Sequence, residues 1–153
     1  MNNGGRLMSE TSEKERALRA YINWAVYSAN WVGERYGEEG VNDYYRYLME
    51  KVGAKIFELD GSQMLKALQK LDNILGSETA YEEDDERAVL TVKCNTGGRA
   101  EKEGKSMQGP SGIPYYCMHC KIHLQDMARE RDIPMTVQYI PRGEGCKFIF
   151  EKK

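Results

Sequence analysis

Two cysteines stand three positions apart in "PYYCMHCKIHLQDMARERD" (Pro114 to Asp132), with His119 and His123 interleaved. In a helix, Cys117 and Cys120 at i, i+3 put both thiols on one face. Leu124 and Met127 continue that face, which therefore points inward. Two further cysteines lie elsewhere: Cys94 ends the strand pattern "AVLTVKC", and Cys146 opens "CKFIFEK". Zinc and iron–sulfur sites want four soft ligands, and thiolates supply them. If sheet and helix pack together, Cys94, Cys117, Cys120 and Cys146 could converge at one end of the sheet. His119 and His123, at i, i+4, have a spacing that can chelate a metal, but they sit about a third of a turn from the cysteine face. His123 could still join Cys120.

The same residues admit other chemistry. A thiol in the first turn of a helix has its thiolate stabilised by free backbone N–H groups. That makes Cys117 a candidate nucleophile, with His123 to take its proton and Asp126, three positions on, to orient the imidazole. Cysteine also packs as a small hydrophobe, so a buried, inert role is the plain alternative. "CMHCK" resembles a haem-attachment sequence with Lys121 in place of the final histidine, and we do not expect haem there.

Helices and strands must position these groups. Residues 1–11 read as a flexible tail before a single α+β domain over 12–153. Ser12 and Glu15 resemble a capping box ahead of Leu18, Tyr21, Ile22, Ala25, Ala29 and Val32, with Gly37 as terminator. A second amphipathic helix starts near Asn42, and a third follows Ser62, with Met64, Leu65, Leu68, Leu71 and Leu75 at helical spacing and Gly76 at its end. "EEDDER" (82–87) reads as a solvated turn. The period then becomes two: Ala88, Leu90, Val92 and Cys94 share one strand face. "NTGGRAEKEGKSMQGPSGIP" is a long glycine-rich loop without a phosphate-binding pattern. "MTVQYIP" and "CKFIFEK", joined by "RGEG", form a closing hairpin in which Cys146 is in phase with Phe148 and Phe150. The expected plan is three N-terminal helices, then strand, long loop, helix and hairpin, with a small antiparallel sheet covered by helices.

With 153 residues, 41% hydrophobic and 30% charged, the chain has the composition of a globular protein with a real core. A net charge of −2 offers no basic field for nucleic acid, and no apolar run is long enough for a membrane. "MNNGGRLMSETSEKER" lacks an apolar signal core, so the cytoplasm is the expected location, where cysteines stay reduced. Ten tyrosines and two tryptophans suggest an aromatic core or pocket, and the aromatic helices could form a homodimer interface.

The pieces "LTVKC", "YYCMHCKIHLQD" and "GEGCKFIFEK" make the C-terminal half similar to the family named after L-2-amino-thiazoline-4-carboxylic acid hydrolase. "GEGCKFIF" also resembles the end of the vinyl-reductase-type small-molecule-binding domains, whose plan is helices plus a small antiparallel sheet. The resemblance implies a small-ligand pocket between helices and sheet, with Cys94, Cys117, Cys120 and Cys146 as its site residues; His119 is not part of the pattern. Three functions are therefore expected to compete. One is a zinc or iron–sulfur protein with a small-molecule pocket, hydrolase-like in its chemistry. The others are a non-catalytic ligand-binding or sensor module, and a metal-free thiol enzyme.

Overall fold

The structure is a computed structural model; it describes the backbone of residues 3–152 and the side chains of residues 12–152. The tail expected over residues 1–11 falls outside the residues described in full. Among the described residues there are four α-helices and a four-stranded antiparallel sheet.

The N-terminal half departs from the expected three helices. Helix α1 spans Asn3–Val52 as one long helix, so Ser12 lies inside it and caps nothing. Gly37 does leave the helical region, with φ 67° and ψ −170°, a conformation open to a residue without a Cβ. The helix bends there and resumes. Packing explains the continuity: Ala29 before the bend and Val41 and Tyr45 after it are buried in one cluster with Tyr115, Ile122 and Met127. A single glycine is too weak a breaker when both flanks are held by the same core.

A 3-10 turn, Ala54–Glu58, leads to α2, Gly61–Ile74. The cap is Asp60 rather than Ser62: its carboxylate accepts from the Gln63 N–H at 2.8 Å, and Gln63 Oε1 accepts from the Asp60 N–H at 3.2 Å. Next come β1, Glu78–Glu83, and β2, Arg87–Lys93. The Asp84 carboxylate accepts from the N–H groups of Glu86 and Arg87, which closes the turn between them. The glycine-rich segment is not all loop, because α3 occupies Gly97–Lys102. The short helix α4, Met118–Lys121, runs directly into a π-helical turn, Ile122–Met127. Strands β3, Met135–Ile140, and β4, Gly145–Glu151, form the expected hairpin.

The sheet order is β1-β2-β4-β3, antiparallel throughout. Its inner face presents Ala88, Leu90, Val92, Met135 and Phe148 to Met64 and Leu65 of α2 and to Leu124 and Ala128. Helix α1 forms an outer layer. It meets Tyr115, Ile122 and Met127 on the far side of the α4–π segment, and Ala100 of α3. Buried Asn30 ties α1 to the segment after α3: its Nδ2 donates to Lys105 O at 2.8 Å, and its Oδ1 accepts from the Met107 N–H at 3.0 Å. No helix among the described residues is long and apolar enough to cross a membrane.

The Tyr115 ring packs directly on the α1 backbone at Gly33, where an added Cβ would stand 2.3 to 2.5 Å from ring carbons. Alanine gains roughly 0.5–1 kcal/mol over glycine inside a helix. The overpacking cost of displacing a buried ring is larger, typically 1–3 kcal/mol. Gly33→Ala is therefore expected to destabilise the protein by about 1–2 kcal/mol, read as a lower denaturation midpoint with an unchanged slope.

Candidate functional site

The strand register fixes the first two thiols. Val92 pairs with Cys146, and Cys146 pairs with Tyr139 on its other side. Because side chains alternate, Val92, Cys94, Cys146 and Phe148 share the inner face. The chain then turns through Thr96 into α3, whose Gly97 brings backbone to within contact of the Cys117 sulfur and the Tyr116 ring. Cys117 is the residue preceding α4, and Cys120 lies within it. All four cysteines are free and partly exposed, and all four line one cavity of about 110 Å³. Its apolar wall is Leu68, Leu71, Leu75, Val92 and Phe148; its polar groups, besides the thiols, are Asp72, Thr96, Tyr116, His119 and Tyr139.

The electrostatics of this cavity are set by burial. Cys117 and Cys120 are pushed well above the ordinary thiol value, chiefly by desolvation, and then by the nearness of Cys146 and Cys94. Cys146 is raised to about 12 by burial, with Cys94 and Asp72 adding to it. Any stabilisation from the end of a four-residue helix does not overcome this desolvation. Burial also lowers His119, which is neutral at pH 7. Its Nδ1 meets the Tyr116 carbonyl, an acceptor only, so Nδ1 carries the proton. Nε2 is then an acceptor, and the Cys120 thiol, 3.3 Å away, donates to it. Cys94 Sγ is hydrogen-bonded to Thr96 Oγ1 at 2.9 Å. The Tyr139 hydroxyl donates to Glu101, whose second oxygen accepts from the Gly143 N–H at 3.0 Å.

The other candidates are elsewhere. His123 donates through Nε2 to Gly53 O at 3.1 Å and stands edge-on to Phe57, on the side away from the cavity. Asp126 accepts from Gln125 Nε2 at 3.2 Å and faces the groove with Lys121 and Glu38. Cys117, His123 and Asp126 are thus not brought together. Regular α-helical phase already sets His123 about a third of a turn and Asp126 about half a turn from Cys117; the π turn beginning at Ile122 instead takes Met127 out of phase with Cys120. Leu124 stays with the sheet-side core, whereas Met127 joins the α1-side core. Among the described residues, no group of three or more histidines, cysteines, aspartates or glutamates is arranged to hold a metal ion. The donor chemistry suits a soft metal, but the spacing is not that of a closed tetrahedral site.

The cysteine and histidine spacing does not point to Asp72, and His119, expected off the cysteine face, lines the cavity with the four thiols. Asp72 had a signal: it is in phase with Leu68, Leu71 and Leu75, a carboxylate on an apolar helical stripe. No protein-family model, no curated protein and no solved structure matches this chain.

Burial raises the Asp72 carboxyl from 3.8 to about 6. A carboxyl raised in the folded state holds its proton more tightly there than in the unfolded chain. Stability therefore falls as pH climbs from 3.8 to about 6, then levels off. Asp72→Asn is expected to abolish that slope and to add about 1–2 kcal/mol at pH 7, below the full linkage value because the group keeps some contact with water. Urea titrations at several pH values measure both.

Proposed function

We propose that this chain is a cytoplasmic small-molecule-binding module whose ligand occupies the thiol-lined cavity between α2, the sheet and α4. One observation carries the reading: four cysteines from three separate stretches of chain open on a single cavity with an apolar wall. It agrees with the pocket that the resemblance to the hydrolase-named family and to the vinyl-reductase-type domains implies. An engineered, enclosed apolar cavity of about 150 Å³ takes benzene; this one is smaller, about 110 Å³, but is partly open to solvent, so it suits one small ring or a short chain with its polar end at the mouth. No lysine or arginine lines the wall, and Asp72 adds a partly desolvated carboxylate. The pocket therefore favours a neutral ligand, with a hydroxyl to donate to Asp72, over an anion. The thiols of Cys117, Cys120 and Cys146, held protonated by burial, serve here as soft, weakly polar lining. A thiol-enzyme or hydrolase reading asks for a thiolate, which the desolvation of Cys117 and Cys120 opposes.

Benzyl alcohol is the probe, with benzoate as its charged counterpart. At about 100 times its Kd, benzyl alcohol should stabilise the protein by about 2.7 kcal/mol, while benzoate leaves the melting temperature unchanged. Leu68→Trp, which fills the cavity, should remove the response. Equal shifts with both probes, or none with either, would overturn the proposal.

A second reading rests on the convergence alone and would need the sulfurs to stand closer than they do here: the four cysteines would hold zinc or an iron–sulfur cluster. Elemental analysis of protein purified without oxygen decides it. Stoichiometric zinc or iron that vanishes in Cys117→Ser supports the metal; metal-free protein of undiminished stability sinks it.

A further inference from the structure

Helix α1 has two apolar faces, and the fold uses one. Ile22, Val26, Ala29 and Gly33 face the body of the protein and are buried. On the opposite side Tyr21, Trp24, Tyr27 and Trp31 are 65, 69, 54 and 51% exposed. These two tryptophans are the only ones in the chain. Ala17, Trp24 and Trp31 are spaced by seven, as are Ala20 and Tyr27, which is the period of a helix-to-helix seam. The rings are already partly ordered: Tyr21 and Trp24 centroids lie 6.3 Å apart, and the Arg35 guanidinium sits 4.7 Å over Trp31.

We infer that this face is the contact between two copies of the chain, with the two α1 helices packed antiparallel. Self-complementarity argues for a second copy. The seam is small at its N-terminal end, with Ala17 and Ala20, and bulky at its C-terminal end, with Trp31. Reversing one helix sets the alanines of each copy against the tryptophan of the other. Charge follows the same logic, since exposed Glu13 and Arg16 flank one end and exposed Glu34 and Arg35 the other. An antiparallel copy brings an acid–base pair against an acid–base pair, whereas a parallel copy sets each charge against its own like. The area suffices: the four rings offer on the order of 500 Å² per chain. Ala17, Ala20, Ser28, Val32 and Tyr44 raise the two-copy total to about 1,200 Å², the lower end of the range for specific interfaces. The interface is isologous, so it closes at two copies.

Because both tryptophans lie in the seam, their emission reports on it directly. Light scattering of the full chain at about 100 µM should give twice the chain mass. On dilution, mass and tryptophan emission should change together, the emission moving to the red as the rings meet water. Trp24→Glu with Trp31→Glu should be monomeric with native circular dichroism. Should that variant fail to fold, Ala20→Glu alters only an exposed position and should weaken association about tenfold or more. A monomer at the highest concentration overturns the inference. So does a dimer whose tryptophan emission is blind to dissociation, or one that Ala20→Glu leaves intact.

Discussion

The pairing of β2 with β4, Val92 opposite Cys146, is the constraint on which the rest of the molecule depends. It places Cys94 and Cys146 at the same end and on the same face of the sheet. A slip of one residue between them would put one of the two thiols, together with the core residue of its own strand (Leu90 or Phe148), on the opposite face from the other. That slip is costly because Leu90 and Phe148 are fully enclosed beneath α2 and the residues after α4. The hydrophobic core therefore specifies the chemistry indirectly. The same apolar alternation that closes the domain decides where two of the four sulfurs stand.

Desolvation then dominates what those sulfurs can do. Each additional thiol at the cavity makes ionising its neighbours harder, and the apolar leucine wall supplies no positive charge in return. His119 is held as a neutral acceptor by the Tyr116 carbonyl, so it takes a hydrogen bond from Cys120 without drawing off its proton. The result is a polarisable interior that is uncharged apart from Asp72.

Much of this was legible in the sequence, and the failures have physical causes. The two-residue period of β2 and β4 identified the inward cysteines, because alternation is rigidly tied to pleat. The hairpin was legible in "RGEG". Gly37 misled because a local breaker was weighed without the tertiary packing of Val41 and Tyr45, which carries the helix across it. Strand β1 left little signal, since an edge strand of alternately exposed polar residues buries too little to show a pattern. His123 and Asp126 are expected beside their helical neighbours at i+3, yet α-helical phase itself turns both away from Cys117; the π turn, which no sequence feature announces, moves Met127 to the α1 side. The convergence of the thiols was inferable from strand phase and helix face, but Asp72 required noticing a charge on a leucine stripe.

The α4–π segment has a cavity on one side and α1 on the other. Cys117, His119 and Cys120 line the cavity, while Ile122 and Met127 press against the α1 layer at Ala29, Val41 and Tyr45. Close-packed side chains transmit displacement rather than absorb it. The segment is thus a mechanical coupling only one helix thick. A ligand that swelled the cavity would press, through this segment, on the long outer helix on both sides of its bend at Gly37.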